Sequence, residues 1–165
     1  VRSRRQRQMC IRDRNKFLDF EKKDFYGSNH SLFRWNKKVS SLKIADYLIK
    51  KKLINKNGII LDLNVIERGS SGRVTKLEIK VQNSDDIVFV KDEIRRIFNF
   101  LPSNLFTIDK LNDNLWIFRG GGFGHGVGLS QGGAIEMAEL GFNYQKILNH
   151  YYPGTKIKKI EILSR

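Results

Sequence analysis

The clearest secondary-structure pattern of this chain lies in "GIILDLNVIERGSSGRVTKLEIKVQ", residues 58–82. Apolar and polar residues alternate on both sides of "RGSSGR" (68–73), and β-branched residues are frequent in both arms. Alternation with a period of two is typical of a strand with one buried face, and a segment rich in Gly and Ser between two such runs is typical of a turn. The sequence therefore predicts a β-hairpin here.

Short strands and helices alternate on either side of the hairpin. Strand patterns occur at 32–40, 86–90, 104–109, 114–120 and 156–164. Helix patterns occur at 42–52, 91–100, 133–140 and 143–152. This order predicts an α+β fold, in which a mixed, mostly antiparallel sheet is combined with several short helices.

The first of these helices has an amphipathic pattern. Its N-cap is expected to be Ser40 or Ser41, because a hydroxyl can accept a hydrogen bond from the first turn. The residues expected to share its apolar face are Leu42, Ala45, Leu48 and Ile49.

The N-terminal segment does not fit this pattern. "RRQRQMCIRDR" (4–14) resembles a translated transposase sequencing adapter, so residues 1–14 are predicted to be foreign and 15–165 to be the C-terminal part of an incomplete domain. The other interpretation is a basic arm that binds nucleic acid or anionic surfaces. The formal net charge of +14 falls to +9 when the six arginines and one aspartate of residues 1–14 are left out.

Composition narrows the class of protein. A chain of 165 residues with 40% hydrophobic content can bury one core. No apolar run approaches the roughly 20 residues of a membrane span. The one cysteine, Cys10, lies in the segment predicted to be foreign, so no disulfide or thiolate metal site is expected.

A glycine-rich segment, "GGGFGHGVGLSQGG" (120–133), is the second informative stretch. Eight of its fourteen residues are glycine. Its spacing does not fit the G-x-G-x-x-G dinucleotide fingerprint, and Ala134 follows where a phosphate loop needs Lys and then Ser or Thr. Neither nucleotide motif is present.

Two catalytic interpretations of this segment are weak. "GLSQG" (128–132) matches the G-x-S-x-G nucleophile elbow, with Ser130 as the nucleophile. The preceding strand pattern ends well before Ser130, however, and no Asp follows Ser130 to serve as the acid of a catalytic triad. His30, His125 and His150 lack the spacing of a zinc motif, so no metal site is predicted.

The remaining interpretation is a cleft wall. Glycines adopt positive φ and carry no side chain, so a polymer can lie against the backbone. His125, Ser130 and Gln131 would then point into the cleft, with Ser130 also able to cap the next helix. A strained turn whose glycines serve only the backbone is the alternative.

A family resemblance covers the glycine-rich segment and the two helix patterns after it, "GGGFGHGVGLSQGGAIEMAELGFNYQKILNHYYPGTKI" (120–157). This stretch resembles the signature of the stage II sporulation protein D family, whose members are described as lytic transglycosylases and amidase enhancers. Leu129 replaces the usual Met and Gly132 the usual aromatic residue. "VIERGSSGRVTKLEI", "FRW" and "LPSNLFTI" also fit the family, so the resemblance covers residues 17–163.

The resemblance implies binding and cleavage of peptidoglycan glycan strands in the bacterial cell envelope or outside the cell, without a cofactor. In such an enzyme one carboxyl group first protonates the glycosidic oxygen that follows an N-acetylmuramic acid residue. The same group then deprotonates the C6 hydroxyl of that N-acetylmuramic acid, giving an anhydro-sugar. The glutamate of the family lies in an upstream helical motif that has no counterpart here. The catalytic residue is therefore unknown, and Glu136 and Glu139 are interpreted as a solvated helix face.

The substrate-binding residues predicted by combining the loop with the resemblance are Gly124, His125, Gly126, Gly128, Ser130, Gln131 and Tyr144. Tyr144 has a second interpretation, because Tyr144, Leu148 and Tyr151 are spaced as a core-facing stripe, which is the favoured one.

Three functions stay open: a transglycosylase fragment, a wall-binding enhancer of a cell-wall amidase, and a nucleic-acid binder. The last is supported by charge alone and by no nucleic-acid motif, so no nucleic-acid partner is expected.

Overall fold

The computed structural model of the chain describes residues 25–158. Its strands are β1 (Trp35–Ser40), β2 (Ile60–Arg68), β3 (Val74–Val81), β4 (Ile87–Val90), β5 (Phe106–Asn112) and β6 (Leu115–Gly120). Its helices are α1 (Ser41–Lys50), α2 (Asp92–Ile97), α3 (Gln131–Glu139) and α4 (Tyr144–Tyr151). The predicted α+β class is confirmed.

The hairpin predicted from the alternating pattern is present. β2 and β3 pair in antiparallel fashion, and β4 pairs with the other edge of β3. The turn closes through a 2.9 Å hydrogen bond from the Gly69 amide to the Arg73 carbonyl, and Gly72 takes φ +67°. The inward-facing residues of β3, Leu77 and Ile79 among them, are fully buried.

The remaining strands form a second sheet in the order β1-β6-β5, again antiparallel. The sequence predicted one sheet, but the structure divides the strands into two. The register of β2 against β3 shifts at three places, and such bulges twist an edge strand away from further pairing. A side chain of β5 meets that edge instead, where the Lys110 amine donates to the Leu61 carbonyl at 3.3 Å.

Helix α1 begins at the predicted cap, since the Ser40 hydroxyl accepts from the Lys43 amide at 3.4 Å. The predicted apolar face is confirmed at Ala45 and Leu48, and it is wrong at Leu42, which is 74% exposed, whereas Ile44 is fully buried. With 3.6 residues per turn, the face that meets the sheets consists of Ser41, Ile44, Ala45 and Leu48.

Aromatic side chains fill the core between α2 and the second sheet. The Phe118 ring centroid lies 4.6 Å from that of Phe98 and 5.3 Å from that of Phe106. All three residues are at most 1% exposed, as is Trp116. Their burial fixes the direction in which β6 leaves the core and enters the glycine-rich segment.

Two predictions concern the ends of the chain. Residues 1–14 lie outside the described residues, as does most of the strand predicted at 156–164, and 156–158 have no regular structure. Over the described range, no helix has the length and apolar character needed to cross a bilayer.

Candidate functional site

The glycine-rich segment leaves β6 along a fixed path. A Cβ atom at Gly120 would lie 2.6 Å from the Leu105 carbonyl oxygen and would also overlap the Trp35 ring, so only glycine fits there. The Gly121 amide donates to the Leu105 carbonyl at 3.0 Å. The Trp35 indole N–H donates to the Gly122 carbonyl at 3.1 Å. The start of the segment is therefore anchored to the core.

Every second residue beyond this point has positive φ: Gly122 (73°), Gly124 (82°), Gly126 (70°) and Gly128 (95°). Side chains rarely adopt this conformation, so the pattern requires the glycines. The residues between them, Phe123, His125 and Val127, are exposed. The segment, which we call the glycine loop (residues 120–130), thus presents three side chains on otherwise bare backbone.

The "LPSN" segment (residues 101–104) forms hydrogen bonds with the glycine loop. Ser103 is completely buried, and its hydroxyl donates to the Gly121 carbonyl at 2.7 Å. The Gly124 amide donates to the Pro102 carbonyl at 2.7 Å, and Ser103 and Gly124 form an isolated parallel bridge. These bonds hold the middle of the loop on the protein.

The hairpin turn reaches the loop at Gly126. The guanidinium group of Arg73 occupies the space that a Cβ at Gly126 would take, whereas a Cβ at Gly124 would meet nothing within 4 Å. Gly126 is therefore constrained both by its φ and by its neighbour, and Gly124 by φ alone. This contact joins the β2–β3 hairpin to the candidate site.

The end of the loop is held by Tyr152. Its hydroxyl accepts from the Leu129 amide at 3.0 Å and would lie 2.7 Å from a Cβ at Gly128. Ser130 is the N-cap of α3, as predicted, with its hydroxyl accepting from the Gly133 amide at 3.3 Å. Gln131 is the first residue of the helix and is exposed.

His125 is exposed on the loop. Its Nδ1 atom accepts from the Val127 amide at 3.2 Å. An accepting Nδ1 leaves the proton of the neutral ring on Nε2, so the ring presents a donor on its other side. A hydroxyl or carbonyl oxygen of a ligand could accept from it.

Tyr144 is not joined to the loop by any of its described contacts. It is 62% exposed, and its hydroxyl accepts from the Gln145 amide group at 3.2 Å. The favoured interpretation of Tyr144 as a core residue is therefore wrong, and Ile147 is the buried residue of α4. The tyrosine that contacts the loop is Tyr152, a role for which the sequence carries no local signal.

Glu136 also departs from its expected environment. Its carboxylate is half-buried and accepts a hydrogen bond from the Gly27 amide, whereas Glu139 is exposed as expected of a solvated face. Glu136 thereby connects α3 to the turn that precedes β1. The His30 ring of the same turn would lie 3.3 Å from a Cβ at Gly132.

Arginines surround the glycine loop. The Arg34 side chain and the Gly122 amide both donate to the Phe33 carbonyl, at 3.0 and 3.3 Å. Burial lowers the pKa of Arg34, but a guanidinium stays protonated at neutral pH. Together with Arg73 and Arg95, which lies near Phe123, Arg34 gives this surface a positive charge that favours an anionic ligand.

The side chains of this site do not form a metal centre within the described part of the chain. Within residues 25–158 no group of three or more His, Cys, Asp or Glu side chains could hold a metal ion. The Glu136 carboxylate is bound to a backbone amide. What the loop offers is backbone polar groups, one imidazole donor and exposed apolar side chains, which suit binding.

The comparisons with known proteins identify the family. The chain belongs to the family described as Domain of unknown function (DUF8618), whose model matches residues 4–128. The match includes His125 and ends at Gly128, before Ser130 and Gln131, and it includes most of the segment predicted to be foreign.

The C-terminal region is similar to stage II sporulation protein D. That protein of Bacillus amyloliquefaciens is 52% identical over 40 residues, which are 24% of this chain and 12% of the relative. The amidase enhancer of Bacillus subtilis is 46% identical over 55 residues, which are 33% of this chain and 8% of the relative. An uncharacterized protein of Brachyspira hyodysenteriae is 40% identical over 89 residues, 53% of this chain and 23% of the relative. Each match spans less than a quarter of the relative.

Proposed function

We propose that this chain binds peptidoglycan glycan strands and forms the C-terminal part of a bacterial lytic transglycosylase. The similarity to stage II sporulation protein D and to an amidase enhancer supports a cell-wall-related role. In this proposal Gly124, His125, Gly126, Gly128, Ser130, Gln131 and Tyr144 contribute to the substrate-binding surface.

The observation that carries the proposal is the alternating positive φ of Gly122, Gly124, Gly126 and Gly128. It keeps the loop free of bulk at every second residue while the Pro102 carbonyl and the Tyr152 hydroxyl hold it rigid. A rigid, bare backbone lets a sugar chain approach amide and carbonyl groups closely without a cost for ordering the loop.

The chemistry of cleavage needs a carboxyl group in addition. The upstream glutamate motif of the family is absent from this sequence, and the Glu136 carboxylate already accepts from Gly27. We therefore assign no catalytic role to a residue of this chain and propose that the acid belongs to a segment outside this sequence. In this proposal the chain binds and positions the glycan.

An enhancer of a cell-wall amidase is the second candidate, and the similarity to a protein named amidase enhancer favours it. In that case the chain would present wall glycan to a partner and cleave nothing. Both candidates place the protein in the cell envelope or outside the cell.

Retention on purified glycan strands stripped of stem peptides tests the binding. His125→Ala is expected to weaken retention about tenfold, in the range of a lost hydrogen bond in a binding site. His30→Ala is the matched control, because the His30 Nδ1 also accepts from the amide two residues on, at 3.2 Å, but outside the loop. Equal retention by the wild type and His125→Ala, with a lower melting temperature for the latter, would make the imidazole structural and contradict the proposal.

Two activity measurements separate the two candidates. Mass spectrometry of stripped glycan incubated with the chain alone is expected to show no anhydro-muramyl product. Such a product would contradict the proposal that the catalytic acid lies outside this sequence, and Glu136 would be the first residue to test. Faster release of stem peptides by a cell-wall amidase on adding the chain would favour the enhancer. An unchanged rate would favour the transglycosylase part.

A further inference from the structure

Phe123 is the largest side chain of the glycine loop. It is 68% exposed, and the positive φ of Gly122 and Gly124 fixes the backbone on both sides of it. Single exposed apolar residues are common on protein surfaces, so exposure alone indicates nothing. The informative feature is the charge placed beside this ring.

Arg95, near the end of α2, lies next to Phe123. Its guanidinium carbon is 5.9 Å from the centre of the Phe123 ring, within the range of a cation–π contact. Its Nε atom donates to the Leu101 carbonyl at 2.7 Å. The next carbonyl, that of Pro102, accepts from the Gly124 amide. The carbonyls of the consecutive residues Leu101 and Pro102 therefore fix the position of Arg95 relative to the glycine loop.

The terminal nitrogens of Arg95 are available to a ligand. Within residues 25–158 no carboxylate forms an ion pair with Arg95. With Nε bound to Leu101, the two terminal nitrogens still carry four N–H donors, and a guanidinium fork binds a carboxylate through two parallel hydrogen bonds. Because Arg95 is half-buried, less water competes for that contact than on an open surface.

We infer that Phe123 and Arg95 form a subsite for a sugar ring that carries a free carboxylate. The apolar C–H face of the sugar stacks on the exposed part of the Phe123 ring, and the carboxylate binds the terminal nitrogens of Arg95. An N-acetylmuramic acid residue whose lactyl carboxylate is not amidated by a stem peptide has both features. This inference rests on the proposed glycan binding and names the residues that distinguish one sugar from another.

A pair of ligands that differ in the lactyl group, which carries the carboxylate, tests the subsite. Titration calorimetry would compare the full chain with stripped peptidoglycan oligosaccharides and with chitin oligosaccharides of equal length, which lack the lactyl group. Wild type is expected to bind the stripped glycan about tenfold more tightly, as a charge-assisted pair of hydrogen bonds predicts. Arg95→Gln is expected to remove this difference and leave chitin binding unchanged. Arg96→Gln, the exposed neighbour, is the control for charge and should keep the preference.

Variants of Phe123 test the stacking. Phe123→Leu, which keeps apolar bulk without a ring, is expected to weaken both ligands by about fivefold to tenfold. Phe123→Trp should retain or improve binding of both. If wild type binds neither ligand, the proposed glycan binding itself has failed. If wild type binds both ligands but Arg95→Gln keeps the preference, or Phe123→Leu binds as wild type does, the subsite is overturned and glycan binding stands.

Discussion

The two-sheet region (residues 35–120) and the C-terminal region (121–152), which contains most of the glycine loop, α3, α4 and Tyr152, are each stabilised by a different kind of contact. In the first, large apolar side chains such as Trp116, Phe118 and Leu77 are at most 1% exposed. In the second, the buried hydrophobic residues are Met137 and Ile147. Specific polar contacts there involve a tyrosine hydroxyl, a carboxylate and backbone amides, such as Tyr152 with Leu129, beside ring contacts such as that of His150 with Tyr151.

Buried apolar side chains therefore stabilise the two-sheet region, whereas specific contacts fix the backbone path of the C-terminal region. Burial of apolar area is non-directional and tolerates modest changes of outline. A hydrogen bond to a particular amide, or a space too small for a Cβ, fixes the path of the backbone. Substitutions in the two regions should therefore differ in what they damage.

The largest effect is expected in the two-sheet region. Phe118→Ala should lower the free energy of unfolding by about 3–5 kcal/mol, because it removes a fully buried ring that contacts Phe98 and Phe106. Urea denaturation followed by tryptophan fluorescence measures it. Leu42→Ala is the control and should stay within about 0.5 kcal/mol, since Leu42 is 74% exposed. A comparable loss in both variants would contradict the helix face seen in the structure.

A smaller effect is expected at two glycines that differ in their surroundings. Gly124→Ala should cost about 1 kcal/mol, for the positive φ alone. Gly126→Ala should cost more, on the order of 2 kcal/mol, since the Arg73 guanidinium must also move. Adding Arg73→Ala to each variant completes a double-mutant cycle. The excess at Gly126 should disappear in that background; if it persists, the contact with Arg73 is not its cause.

Much of the two-sheet region could be predicted from the sequence. The period-two pattern of residues 58–82 indicates the hairpin because a pleated strand sends alternate side chains to one face. Ser40 was identified as a possible cap from local chemistry. The division into two sheets could not be predicted, since the pairing of Trp35 with Gly120 joins distant parts of the chain and leaves no local signal.

The candidate site was predictable in its backbone but not in its neighbours. The spacing of the glycines indicated bare backbone, and the position of Ser130 before α3 indicated a cap. The contacts of Arg73 with Gly126 and of Glu136 with Gly27 join residues far apart in sequence, and neither residue type specifies its partner. The exposure of the Tyr144 ring depends on which face of α4 is buried. Periodicity alone predicts a stripe of Tyr144, Leu148 and Tyr151, of which Leu148 and Tyr151 are half-buried and Tyr144 is exposed.

A still smaller effect is expected at the hydrogen bond between Tyr152 and the end of the glycine loop. Tyr152→Phe removes the acceptor of the Leu129 amide and should cost about 1 kcal/mol locally. Hydrogen exchange at the Leu129 amide should accelerate about fivefold, with little change at amides of β3. Tyr144→Phe is the matched control, because the Tyr144 hydroxyl is bonded to an exposed side chain. Acceleration throughout both regions would show that they unfold as one unit.

The smallest effect is expected outside both regions, at residues 1–14. Their resemblance to translated adapter DNA and their lack of apolar periodicity predict that removing them leaves the free energy of unfolding unchanged. The family match that begins at residue 4 favours the opposite outcome, so the experiment decides between two observations. Because the segment carries six arginines and one aspartate, a version with an uncharged Gly-Ser segment of equal length separates charge from folding. Equal melting temperatures and equal urea midpoints for all three proteins would support the foreign origin. A loss of more than about 1 kcal/mol in both altered proteins, the size of a typical damaging substitution, would show that the segment belongs to the domain.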